Sequence, residues 1–145
     1  MLGFVTPHKL ILINGKPPHK EFLWRERATF EIHKRFYEEY EKDNPLRQTD
    51  KLPIRVASTL NYHDTIDIME EIHAKYGMFE RIICAATGSK MQTVGLYFSK
   101  CRHPDIQIEY PTPDSMNAGM SDDVRQIHEI IIPKYNCFIA GLRNS

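Results

Sequence analysis

Arg81-Ile-Ile-Cys-Ala-Ala-Thr-Gly-Ser-Lys-Met-Gln-Thr-Val-Gly95 runs from apolar, β-favouring residues through Thr87, Gly88, Ser89 and Lys90 into residues that suit a helix. Residues 81–86 read as a buried strand and 89–101 as a helix buried through Met91, Val94, Gly95 and Phe98. A strand entering a helix through such a turn is how α/β proteins build an anion cradle. Main-chain N–H groups, a hydroxyl and one cation meet at the positive end of the helix dipole. Gly88 and Ser89 are equally expected of a plain capped turn, because glycine eases the turn and serine caps the helix. The stretch therefore predicts a fold class and a kind of ligand, and leaves the chemistry open.

The flanking sequence repeats the alternation. Residues 9–14 are a short apolar strand closed by Asn14 and Gly15, and Pro17-Pro18 forbids an immediate helix. Apolar residues then recur at Phe22, Leu23, Phe30, His33, Phe36, Tyr37 and Tyr40, which predicts an amphipathic helix over 21–42 that Asn44-Pro45 stops. Residues 54–59 form a second strand. Asn61 caps the next helix, with Asp64 in its first turn, a stripe of Ile66, Met69, Ile72, His73 and Tyr76, and Gly77 as a left-handed stop. Residues 105–110 are a fourth strand ended by Pro111-Thr-Pro113. Beyond it Val124, Ile127, Ile131, Phe138 and Leu142 continue a helical stripe that Pro133 kinks. Strands alternating with helices imply an α/β, Rossmann-like three-layer fold. The expectation is a mainly parallel sheet of at least four strands with a C-terminal helical segment.

With 145 residues the chain is read as one domain, residues 1–145, or as a fragment of a longer protein. Nineteen basic and nineteen acidic residues cancel, and no basic tail appears, which argues against bulk nucleic-acid binding. The three cysteines, Cys84, Cys101 and Cys137, have no CxxC spacing and read as reduced thiols of a cytoplasmic protein. No apolar run approaches the roughly 20 residues that span a membrane. A soluble protein with no membrane partner is expected.

In open parallel sheets, ligands bind beyond the carboxyl ends of the strands. The loops there offer Asn14, Gly15, Lys16, His19 and Lys20 from the first, Ser58, Thr59, Asn61 and His63 from the second, Thr87, Gly88, Ser89, Lys90 and Gln92 from the third, and Tyr110, Thr112 and Ser115 from the fourth. Hydroxyls, amides and lysines suit a phosphate and a heterocycle better than a metal. Ile83 stands where a Walker motif needs its first glycine, and no GxGxxG occurs. Neither HExxH nor a Cys/His pair at ligand spacing is present, so no metal and no cofactor are expected. His33 and His73 fall on apolar stripes and His103 precedes Pro104 in a surface turn. His63, at a strand end, is the one histidine placed to act as an acid or base.

The unit over residues 54–113 resembles the CRISPR-associated Rossmann-fold (CARF) domains and the related SAVED domains of prokaryotic antiviral systems. Those sensors carry a Thr-Gly-Gly-Thr-Lys-like turn followed by a helix with a small residue. The counterparts here are Thr87, Gly88, Ser89 and Lys90, with Met91 and Gly95 in the helix; one glycine of the turn is missing, and so is an effector domain. The resemblance implies a cyclic-oligonucleotide second messenger bound at this turn, usually across a homodimer.

Three functions follow as expectations. The first is a ligand-sensing domain in which Lys90 neutralises phosphate, the amides of 88–90 and the Ser89 hydroxyl bond it, and Thr59, Asn61 and Tyr110 meet base or ribose. The second is a phosphodiester- or phosphometabolite-processing enzyme in which Lys90 stabilises charge and His63 moves a proton. The third is an oligomerisation module that assembles through Ile130, Ile131, Ile132 and Phe138.

Overall fold

The computed structural model describes residues 7–43, 54–110 and 129. Strand β1 (Leu12–Lys16) leads through a short 3-10 turn (Lys20–Phe22) into helix α1 (Leu23–Asp43). Strand β2 (Ile54–Ser58) precedes α2 (Tyr62–Tyr76), β3 (Ile83–Ala85) precedes α3 (Lys90–Arg102), and β4 (Gln107–Glu109) follows. The expected C-terminal helix, with residues 130–132 and 138, lies outside the described residues, as does Cys137.

The expected sheet of four or more strands is not what forms. β1 pairs in parallel with β2, from Leu12 opposite Ile54 to Lys16 opposite Ser58. β3 pairs in parallel with β4, from Ile83 opposite Gln107 to Ala85 opposite Glu109. Each ladder has two strands, and among the described residues no main-chain ladder joins them. The second ladder is short, and bonds from Ala86 N to Glu109 O (2.9 Å) and Gln107 N to Ile82 O (3.0 Å) extend it. Side chains connect the pairs instead. Ile13 of β1 and Cys84 and Ile108 of the second ladder pack on one cluster formed by Met69, Leu96 and Ile106.

Side chains alternate along β1, so Ile13 and Asn14 face opposite ways. Ile13 meets the α2–α3 layer, and Asn14 turns to α1, where its Nδ2 donates to Glu26 O at 3.1 Å. Helix α1 is several turns longer than the strand beneath it, and at about 1.5 Å of rise per helical residue it overhangs that strand. The expected apolar stripe is therefore only partly covered. Tyr37 and Tyr40 are buried, while Leu23 and Phe30 of the same stripe remain 40% and 38% exposed. His33 is half-buried with no partner for Nδ1 among the described residues, and burial holds its imidazole pKa below the ordinary 6.5.

Helices α2 and α3 share the tightest contact. A methyl group on Gly95 would lie 2.7 Å from both the Tyr62 carbonyl oxygen and Thr65 Cβ, so the backbone of α3 rests directly on α2. Gly95 thus serves helix–helix packing rather than a helix–sheet contact. On either side of it, Tyr62, Ile66 and Phe98 form one buried cluster and Met69, Leu96 and Ile106 the other. Gly77 ends α2 in the right-handed region (φ −60°, ψ −23°), not the left-handed stop expected. Glycine is needed there for space, since a Cβ would lie 2.7 Å from His73 O and 2.8 Å from the His73 ring.

Gly95→Ala forces backbone apart and is expected to destabilise the protein by about 1–3 kcal/mol, read by urea denaturation. An unchanged midpoint would show that the helices part freely. His33 makes a second prediction. Its lowered pKa means the unfolded chain binds the proton more readily, so this contribution is present above pH 6.5 and is lost as pH falls through the folded value. Denaturation at pH 7.5 and 5.5 should show a loss at the lower pH that is smaller in His33→Gln.

Candidate functional site

The ends of β1 and β2 and the start of α3 meet at one edge. Lys16 O accepts from Thr59 N at 3.0 Å and from Thr59 Oγ1 at 3.4 Å. Ser89 Oγ donates to Thr59 O at 2.8 Å, which ties the turn before α3 to the loop after β2. Ser89 also caps α3. Its Oγ accepts from Gln92 N at 3.2 Å. Gln92 Oε1 accepts from Ser89 N at 2.8 Å in return. Together the two bonds make a reciprocal capping box. Gln92 is 7% exposed and fills the space beside two glycines. A Cβ on Gly88 would collide with its Oε1, and one on Gly15 would lie 2.8 Å from Thr59 Cγ2 and 3.6 Å from the Gln92 amide. Gly15, Lys16, Thr59, Gly88 and Ser89 are therefore brought together, with Gln92 at their centre.

The donors left at this edge are few. Ser89 N–H, Ser89 Oγ and Gln92 N–H are used by the cap, and Thr87 N donates to Ala85 O at 3.0 Å. The N–H groups of Gly88, Lys90 and Met91 donate to no described group. Lys16 and Lys90 are exposed and form no ion pair among the described residues.

A second network adjoins the first. Ser58 Oγ accepts from Leu60 N and Asn61 N at 3.2 and 3.0 Å, and Ser58 N donates to Asp64 Oδ2 at 3.0 Å. Asn61 caps α2 by accepting from His63 N, and its Nδ2 donates to Asp64 Oδ1 at 2.7 Å. Its side chain is thus occupied in holding the loop. Lys16, Pro17, Pro18, Val56, Ser58 and Asp64 line an open depression of about 380 Å³ beside this network.

Asn14 is 1% exposed beneath α1, with no partner for Oδ1 among the described residues. Tyr110 is exposed just beyond β4. His63 is exposed at the start of α2, its ring stacked on Tyr62 with centroids 4.2 Å apart. Cys84 is no nucleophile at neutral pH, because burial pushes its thiol up to about 11.

Another polar cluster lies at the far end of α3 from Lys90. His73 Nε2 and Asp105 Oδ2 are 3.0 Å apart, and His103 Nε2 lies 2.9 and 3.1 Å from the two carboxylate oxygens of Glu70. The hydrogen bond to His73 holds the Asp105 carboxyl below its ordinary value. Ligand atoms of His73, His103 and Asp105 lie within 4.8 Å of one another. His103, expected at the surface, is 19% exposed at its side chain. Neither HExxH nor Cys/His spacing marks this group, since Glu70 and His73 lie on α2 while His103 and Asp105 come from the turn after α3.

No protein-family model, curated protein or solved structure matches this chain. Among the described residues, no helix is long and apolar enough to cross a membrane.

The capping box makes a prediction that separates structure from binding. Gln92→Ala should cost about 1–2 kcal/mol in chemical denaturation, as lost caps do, whereas Lys90→Ala should be nearly neutral. Equal stability of Gln92→Ala and wild type would remove Gln92 from the centre of the edge.

Proposed function

We propose that this protein is a ligand-sensing domain that binds a nucleotide or cyclic oligonucleotide through its phosphate at the edge formed by residues 15–16, 59 and 87–90. The observation that carries this reading is the convergence of Lys16 O, Thr59 and Ser89 through two hydrogen bonds. It brings two exposed lysines, Lys16 at the end of β1 and Lys90 at the start of α3, to one edge. The resemblance of residues 54–113 to CARF and SAVED domains points the same way.

The roles divide by what each group already does. Ser89, Gln92 and Asn61 hold the loops in place. Lys90 and Lys16 supply charge, and the N–H groups of Gly88, Lys90 and Met91 supply directed donors at the positive end of the α3 dipole. Gly88 keeps the turn open to a large anion, because any side chain there would run into Gln92. Thr87, exposed beside these donors, would meet the sugar.

Calorimetry with a panel of mononucleotides and cyclic oligonucleotides tests the proposal. A charge-assisted hydrogen bond contributes about 1.5–3 kcal/mol, so Lys90→Ala should weaken binding roughly 10-fold or more without moving the denaturation midpoint. Binding should also fall as salt rises. Failure of the wild-type protein to bind any member of the panel would sink the sensor reading.

A further inference from the structure

The cluster at the far end of α3 from the proposed nucleotide edge has the composition and spacing of a cation site. We propose that His73, His103 and Asp105 bind a divalent transition-metal ion of the zinc class, with Glu70 orienting His103. The inference is independent of the nucleotide-binding reading, because it shares no residue with that edge.

Two imidazoles and a carboxylate are the donor set that zinc and its neighbours accept, whereas magnesium and calcium select oxygen alone. Bonds of about 2.0–2.2 Å place tetrahedral donors roughly 3.3–3.6 Å apart. The donor atoms already lie within 4.8 Å, so side-chain rotation without backbone movement closes the set. The rings of His73 and His103 stack with centroids 3.7 Å apart and planes 20° from parallel. Their lone pairs run nearly side by side in this state, and the rings must tilt for both to meet one ion.

Both imidazole donors have a support. The ring of His73 fills the space that Gly77 leaves for want of a Cβ, so the turn after α2 backs it. His103 is the residue that caps α3, its N–H donating to Ser99 O at 2.8 Å. Glu70 accepts from His103 Nε2, which leaves Nδ1 as the basic nitrogen, the carboxylate–histidine arrangement common behind metal ligands. Arg102 Nε, 3.5 Å from Glu70 Oε2, fixes that carboxylate in turn. The nearby Lys100 ammonium donates to Ile106 O at 2.6 Å, which directs it to main chain. Asp105 is 58% exposed at its side chain, so the side of the set that it occupies is open to water as a fourth ligand. On binding, the ion takes the place of the proton between His73 Nε2 and Asp105, and the neutral imidazole carries its one proton on Nδ1 instead.

Titration of the metal-free full chain with Co²⁺, followed by visible absorption, tests the site. Wild-type protein should take up one equivalent with ligand-field bands that Zn²⁺ abolishes. His103→Gln and Asp105→Asn should each lose at least roughly 10-fold in affinity, Glu70→Gln about 10–100-fold, and His8→Gln nothing. Asp105 is exposed, so its variant is expected to fold, and far-UV circular dichroism of each variant without metal checks this. Imidazole ¹⁵N resonances of His73 and His103 should shift with the first equivalent. No uptake by the wild type at millimolar Co²⁺ overturns the proposal. So does undiminished uptake by a folded Asp105→Asn, which would place the metal on other residues.

Discussion

Backbone contact between α3 and α2 at Gly95 governs how the other elements come together. With no Cβ in the way, α3 settles on Tyr62 and Thr65, and the side chains flanking the contact close into two apolar clusters. The cluster of Met69, Leu96 and Ile106 forms the surface on which residues of both parallel ladders pack. A pair of short strands is marginal by itself in water, and here neither ladder reaches three strands. Ile13 from one ladder and Ile82, Cys84 and Ile108 from the other pack on the cluster around Met69, so the helix layer joins what main-chain bonding does not.

The two faces of β1 are held by different physics. Toward α2 and α3 the contacts are apolar. Toward α1 several polar groups are buried, and Asn14 Oδ1, His33 Nδ1 and Tyr37 Oη find no partner among the described residues. Each buried group left unsatisfied costs about 1–3 kcal/mol. The α1 side is therefore the less well compensated, which fits a helix that overhangs its strand and leaves Trp24 and Ile32 outside. At the carboxyl edge the loop-holding polar side chains are instead hydrogen-bonded. Ser58 with Asn61 and Asp64, and Ser89 with Gln92 and Thr59, turn three loops into one rigid rim. A rim of this kind pre-orders the groups that remain free, lowering the ordering cost of binding.

Much of this was legible from residue order. Among the described residues, helices and strands appear where period and punctuation place them, with ends shifted by only a little. The cap at Asn61 and the strand-to-helix turn at Ser89 follow from local chemistry and appear as expected. The spacing of Ser89 and Gln92 is itself a capping-box signal, and it identifies Gln92 as structural rather than ligand-facing. Asn14 is harder to place from sequence. An asparagine at a strand end suggests a loop, but β1 continues through Lys16 and turns Asn14 under α1. Gly77 defeats a local reading, because a glycine after a helix suggests left-handed backbone when its role is to make room for His73.

What the amino-acid order determined by itself is local: which segments become strands or helices, where each begins, and which residues cap it. These depend on side-chain period and on hydrogen bonds between near neighbours in the chain. Tertiary structure alone decided how many strands share a ladder, because pairing depends on whether two distant backbones come within bonding distance on the same helix layer. It also decided that Gly95 meets α2, and that His73, His103 and Asp105 share one place. Residues 81–95 thus announced a strand, a turn and a helix correctly. Gln92, packed between Gly15 and Gly88, shows why that turn has the shape it does.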